Sequence, residues 1–273
     1  EMCIRDSAIV SRICMASPKK ASFWKNIRIA ILLLILLMVL VNNWRDQNQN
    51  WNRPIVVLLH PVNADGHAST SRYIQQLQLS QFGEVKSYLE QQSANYRQPI
   101  FVIMKLGRTL TAKPPRVPEE SSILNVMWWS LKFRFYAWQQ RKSDDQHASV
   151  TLYLNYYDPQ YINQLKHSTA LEKGRIGSVN LFASKKQDSQ NNIVLTHELL
   201  HAFGATDKYD LQTGQPIYPI GYAKPEQQPR YPQKQAELMA GKIPVSDHEN
   251  KMPEHLNQTI LNHLTAQEVG WLK

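Results

Sequence analysis

The chain has 273 residues, 42% of them hydrophobic, with seven Trp, 15 Pro and ten Gly, which excludes a disordered or collagen-like protein and suffices for one domain core. Its 31 Lys and Arg against 22 Asp and Glu give a formal charge of +9, but eight bases and three acids fall within residues 1–53, and the rest has no dense basic run or nucleic-acid module; no nucleic-acid partner is expected. The two cysteines, Cys3 and Cys14, leave everything beyond residue 14 without a disulfide, a Cys-type zinc knuckle or a thiol nucleophile.

In chain order, EMCIRDS at the start has the look of translated sequencing-adapter read-through. If residues 1–14 are artefactual, Met15 is the natural start and the protein has no cysteine, which suits an oxidising compartment. Residues 1–23 read as a cytoplasmic stub. Residues 24–44 read as a transmembrane signal anchor: Ile29 to Val41 are thirteen consecutive apolar residues, framed by Trp24 and Trp44, and the whole segment is long enough to span a bilayer. Lys19, Lys20, Lys25 and Arg28 precede it and only Arg45 closely follows, so the positive-inside bias puts the body outside the cytoplasm. The rival is a cleaved signal peptide, but the exit sequence VNNWRDQNQNW lacks a small-x-small cleavage pattern. Residues 45–53 form a polar tether.

The body, residues 54–273, alternates strand and helix signals. PIVVLLHPV (54–62) and PIFVIMKL (99–106) are buried-strand runs, with a helix expected between about Thr70 and Gln92. A proline-rich loop leads to an aromatic helix, 121–141, containing Trp128, Trp129, Phe133, Phe135, Tyr136 and Trp138. Aromatics at mixed helical spacing are read as core packing. ASVTLYLNYY (148–157) and RIGSVNLFAS (175–184) are the third and fourth strands, and another helix follows. Such alternation predicts an α/β sheet with helices packed on it.

The chemistry lies in VLTHELLHAFGATDKYD (194–210), which contains HExxH. Residues four apart share one helix face, so His197 and His201 project together and can fill two corners of a zinc tetrahedron. Glu198 lies about 100° round the axis, off the metal but placed to accept a proton from an activated water. Gly204 is positioned for a left-handed helix end. The turn brings back Asp207 as third ligand, for which Asp210 or a remote acid is the alternative. Two imidazoles and a carboxylate leave one position open, as in catalytic rather than structural zinc. His60, His248 and His255 read as ordinary polar residues, and Asp65 and Asp158 as loop residues.

HExxHxxGxxD resembles the metzincin clan of zinc peptidases, in the snapalysin-type variant with aspartate as third ligand. The resemblance implies a mixed α/β (α+β) sheet with packed helices and an active-site helix, here preceded by one transmembrane helix. It also implies a methionine turn beneath the metal, matched by Glu237-Leu238-Met239-Ala240-Gly241, and an edge strand that binds extended peptide, for which RIGSVNLFAS has the right place. GATDKYD, YPIGYAKPEQQPRYP, ELMAG and TAQEVGW look like parts of an uncharacterised bacterial membrane-anchored family. No tyrosine stands two residues after Met239, so the oxyanion donor is sought among Tyr209, Tyr218, Tyr222 and Arg230. The expectation is a single-pass protein of the bacterial inner (cell) membrane, anchored in lipid through residues 24–44. Its periplasmic or extracellular zinc metallopeptidase domain (Zn2+ on His197, His201 and Asp207; Glu198 as general base) acts on a peptide or protein substrate. The alternatives are a proteolytically silent, zinc-stabilised binding module and a peptidoglycan-directed zinc hydrolase.

Overall fold

The computed structural model describes residues 21–47, 49–118, 122–142, 147–172 and 174–272; the readings made above for residues 1–20 lie outside them. The chain divides into two units, residues 1–41 and 42–273. Helix α1, Ala21–Gln47, runs across that division. Its segment Phe23–Val41 has a mean hydropathy of 2.2 and is long and apolar enough to cross a membrane, a test that a signal sequence also passes.

The second unit is a mixed α/β fold. Its sheet has five strands: β1 (Ile55–Asn63), β2 (Val102–Leu106), β3 (Val150–Tyr157), β4 (Thr169–Leu171) and β5 (Ile176–Phe182), in the order β2-β1-β3-β5-β4. β2, β1, β3 and β5 are mutually parallel, and β4 runs antiparallel to β5 at the edge. Helices α2 (Ala68–Gln75), α3 (Gly83–Ala94), α4 (Ile123–Gln140), α5 (Asp188–His201) and α6 (His263–Glu268) complete it, with short bridges β6 (Ala236–Glu237), β7 (Ile243–Pro244), β8 (Asn250–Lys251) and β9 (Thr259–Ile260) in the last third.

Period-two alternation divides the core into two layers. Ile55, Val57 and Leu59 of β1, Leu152, Leu154 and Tyr156 of β3, and Val179 and Leu181 of β5 share one cluster with Val85, Leu89, Ile193, Leu195, Leu199 and Leu200 of α3 and α5. Val62, Tyr153 and Ile176 point the other way and meet Trp129, Phe133 and Tyr136 of α4. Both sheet faces are covered, which explains the near-continuous apolar runs of β1 and β3.

Three sequence expectations need correction. The helix foreseen from 70 to 92 is broken: α2 ends at Gln75, a 3-10 turn covers Leu79–Phe82, and α3 begins at Gly83. Leu77 in the break is buried, so the chain gives up a helical turn to fill the core. The strand at 175–184 is not the edge strand. It lies between β3 and β4, and the edge is β4, whose three residues Thr169-Ala170-Leu171 are too short to carry a readable alternation. The aromatic helix is core on one side only: Trp129, Phe133 and Tyr136 are buried, whereas Trp128, Phe135 and Trp138 are exposed.

The inner face of α4 is also fixed by polar contacts, the Trp129 indole N–H donating to the Pro115 carbonyl at 3.0 Å and the Tyr136 hydroxyl to that of Ala112 at 2.7 Å. Phe133→Ala, at a fully buried position, is expected to cost about 3–5 kcal/mol in urea unfolding followed by circular dichroism. Phe135→Ala, two residues on and on the exposed face, should change stability by no more than about 0.5 kcal/mol.

Candidate metal centre

Helix α5 brings its carboxyl-terminal half to the site because its start is tied to the sheet and its apolar side is sunk in the core. Asn191 clasps the last residue of β5, accepting from the Phe182 N–H at 3.0 Å and donating to the Phe182 carbonyl at 2.8 Å. Asp188 in the first turn accepts from the Tyr73 hydroxyl at 2.6 Å and from Gln81 at 3.1 Å, with its charge at the favourable end of the helix dipole. Ile193, Leu195, Leu199 and Leu200 are buried, which leaves His197 and His201 directed away from the core.

After His201 the chain reverses at Gly204, whose φ of +99° lies in the region that glycine alone adopts without strain. The Ala205 N–H bonds to the Leu200 carbonyl at 3.1 Å, and Asp207 returns to the two imidazoles. His197 Nε2 and His201 Nε2 are 2.9 Å apart, and Asp207 Oδ1 is 3.1 Å from the first and 3.0 Å from the second. Among the described residues this is the one group of three or more His, Cys, Asp or Glu side chains close enough to hold a metal ion.

The donor chemistry tests the fit. His197 Nδ1 is 3.1 Å from the Leu238 carbonyl, and His201 Nδ1 is 2.7 Å from that of Ala205. A carbonyl only accepts, so each Nδ1 carries the proton and each neutral ring presents a lone pair at Nε2. Two such lone pairs and a carboxylate oxygen then meet at about 3 Å, an arrangement that repels itself unless a cation lies in its middle. Ligand atoms on a tetrahedral metal with bonds of ~2.05 Å are about 3.3 Å apart, close to the triangle found here. Burial, the largest single effect, raises the Asp207 carboxyl, but the hydrogen bonds and charge interactions with His197 and His201 together outweigh it and hold the carboxyl well below its ordinary 3.8.

Glu198 completes the centre. It is buried, and its Oε2 has no hydrogen-bond partner. Burial pushes its carboxyl above the ordinary 4.5; His197 and His201 pull it down, and Asp207 pushes it up. Tyr209 stands beside the same group. Burial, the Asp207 charge and a hydrogen bond to Asp207 push its phenol up to about 12, so it remains an O–H donor near neutrality. Of the other oxyanion candidates, Tyr222 is buried with its hydroxyl 2.7 Å from that of Tyr231, and Arg230 stacks on the Tyr218 ring at 4.0 Å.

Asp210, the alternative third ligand, instead accepts from Gln212 and Thr213 in an exposed turn. His60 is buried and bonds through Nδ1 to the Arg108 carbonyl at 2.9 Å. Asp158 accepts from Ser69 and Gln160, and Asp65 from the Asp158 backbone; both organise loops. His248 and His255 lie outside the clustered group.

Sequence reasoning missed the groups that hold the centre. The Lys208 ammonium is fully buried and donates to Glu268 at 2.7 Å and to the Thr206 carbonyl at 3.1 Å. Glu268 also accepts from the Thr206 backbone and hydroxyl. The residues on both sides of Asp207 are thereby clamped to a carboxylate 60 positions further on. Gly221 is required opposite, since a Cβ there would come within 2.3 Å of the Lys208 carbonyl. Under His197, the 3-10 turn Leu238–Ala240 is capped by the buried Glu237, which accepts from the N–H groups of Met239 and Ala240 and from the Thr265 hydroxyl. The Met239 carbonyl takes the Lys208 N–H at 3.0 Å. The only sequence signal was ELMAG, read for its methionine and not for its glutamate.

A scan against models of known protein families finds no match to this chain, and a search of curated proteins finds none similar to it.

The clamp has a pH signature. Burial disfavours the Glu268 carboxylate, but bonds from Lys208 and Thr206 outweigh it and hold its carboxyl below the ordinary 4.5. A group lowered in the folded state adds stability that is complete above its unfolded value and is lost as pH falls through the folded one. Glu268→Gln should therefore destabilise the chelated protein by about 3 kcal/mol at neutral pH, because it leaves the buried Lys208 ammonium without its carboxylate. That gap should shrink steadily as urea midpoints are followed below about pH 4.5.

Proposed function

We propose that this chain is a membrane-anchored zinc metallopeptidase, with His197, His201 and Asp207 as metal ligands and Glu198 as general base. The observation that carries the reading is the meeting of three lone-pair donors beside a buried carboxylate oxygen that has no partner. Two imidazoles and one carboxylate suit zinc better than magnesium or calcium, which prefer all-oxygen sites. When bound, such a metal acidifies a water and polarises a carbonyl.

The protein's own groups do the rest. Glu198, desolvated and beside the ligands, accepts the proton of the attacking water and returns it to the leaving amine. Tyr209 offers an O–H toward negative charge that develops at the site. The two carbonyls at Leu238 and Ala205 keep both rings in the tautomer that ligates. Substrate positioning falls to β4, which pairs only with β5 among the described residues and so offers a free edge to an extended peptide. Its end lies close to the site, Glu172 Oε1 being 3.4 Å from where a Gly204 Cβ would stand.

A metzincin-like architecture is supported by this antiparallel edge strand next to the metal-bearing helix, and by the buried Met239 in the turn under His197. The basic residues ahead of the apolar run, Lys19, Lys20, Lys25 and Arg28, support an orientation with the body in the periplasm or outside the cell.

The test is Glu198→Gln in the full chain solubilised in detergent. Zinc content should be unchanged, while cleavage of a peptide mixture, followed by mass spectrometry, should fall about 10²–10⁴-fold. Unaltered cleavage rejects Glu198 as the base, and a zinc-loaded parent inert to every peptide favours a silent binding module.

A further inference from the structure

Helix α4 has an apolar face that is left exposed. Leu124, Trp128, Leu131, Phe135 and Trp138 follow one another at helical spacing and are 76, 60, 58, 57 and 69% exposed; this stripe lies opposite the buried Trp129, Phe133 and Tyr136. An exposed row of two tryptophans, a phenylalanine and two leucines is far outside the scatter of single apolar residues on an ordinary soluble surface. The only charges in residues 122–142 are basic, Lys132, Arg134, Arg141 and Lys142, although acidic pairs flank the segment in the sequence at 119–120 and 144–145. The Lys132 ammonium lies over the Trp128 ring, 5.3 Å from its centroid.

A second observation adjoins the first. A cavity of about 610 Å³ opens beside the carboxyl-terminal turns of α4, lined by Arg134 and Trp138 of that helix and Arg141 just after it, together with Arg53, Arg175 and Gln49. No Asp or Glu is among the described residues that line it. Gln49 and Arg53 belong to the tether, so the segment that leaves α1 shares a cavity with α4. Seven residues separate the end of α1 from the start of β1, a reach of at most ~25 Å.

We propose that α4 is a second membrane-contact element, lying in the headgroup layer of the bilayer, with Arg53 and Arg141 of the adjoining cavity meeting lipid phosphate. The inference rests on the anchored reading given above. Tryptophan, phenylalanine and leucine on one face with lysine and arginine at its margins is the composition of an interfacial helix, and guanidinium groups suit phosphate. The tether is short enough to permit the contact, and the consequence is a proposed hydrolytic site that cuts substrates near the membrane surface.

The experiment uses the full chain with Cys3 and Cys14 replaced by Ser, reconstituted in phosphatidylcholine–phosphatidylglycerol vesicles and carrying a single environment-sensitive fluorophore. The positions are Leu131→Cys or Phe135→Cys on α4, Leu36→Cys in α1, and Leu79→Cys on the opposite side of the sheet. Shallow spin-labelled lipid should quench the α4 probes about twofold or more and leave Leu79→Cys unaffected, while deep spin-labelled lipid quenches Leu36→Cys. Removing phosphatidylglycerol should weaken the α4 quenching, and Arg53→Gln with Arg141→Gln should abolish that lipid dependence. Quenching at Leu36→Cys without any on α4 overturns the proposal and leaves the anchor standing; none at either position means the anchored reading itself has failed. Protection of the α4 probes from both lipid and aqueous quenchers, with cross-linking between copies, assigns the face to a second copy and also overturns it.

Discussion

Three electron-pair donors are held about 3 Å apart in a partly buried site, and the rest of the domain is organised around keeping them there. The arrangement is unfavourable by itself: like ends of two imidazoles face one another, with a carboxylate beside them. Cations of two kinds relieve it, a proton shared with Asp207 or a metal ion. Because both Nδ1 atoms are committed to backbone carbonyls, the rings cannot escape by changing tautomer, and the scaffold presses the site toward binding a cation.

Each donor is secured by a different part of the chain. Helix α5 is fixed at its start by Asn191 and Asp188 and along its length by buried leucines. Asp207 lies between Thr206 and Lys208, both of which are bound to Glu268 on α6. His197 rests on a turn whose N–H groups are taken by Glu237. Two carboxylates, the buried Glu237 and the half-buried Glu268, thus hold backbone in place near the three donors while a third, Glu198, retains an oxygen with no partner. The contrast separates structural acids from the proposed base: the first two are saturated with donors, and the last is left able to move a proton.

The sequence revealed what local periodicity can encode. HExxH placed two rings on one helix face, Gly204 announced the reversal, and the spacing to Asp207 supplied the third donor; the structure brings all three together. The parallel strands were legible as apolar runs because both sheet faces are covered. What stayed hidden depends on residues far apart in the chain. Nothing near Lys208 points to Glu268, and nothing near Glu237 points to Thr265. β4 is three residues long and has no pattern to read. The outer face of α4 was hidden for another reason: a protein core and a lipid surface select the same side chains, so composition cannot tell Trp128 from Trp129, and only their exposures of 60% and 5% do.

On the proposed reading, anchor, interfacial helix and metal centre form one device, a hydrolytic site held close to a bilayer. Its central claim is the cation. The most direct measurement is X-ray absorption at the zinc edge on full-length protein loaded with one equivalent of zinc. The account expects a four-coordinate shell of two nitrogens and two oxygens at about 2.0–2.1 Å, losing one nitrogen in His201→Ala. A six-coordinate all-oxygen shell, or protein that retains no zinc after gel filtration, would contradict it.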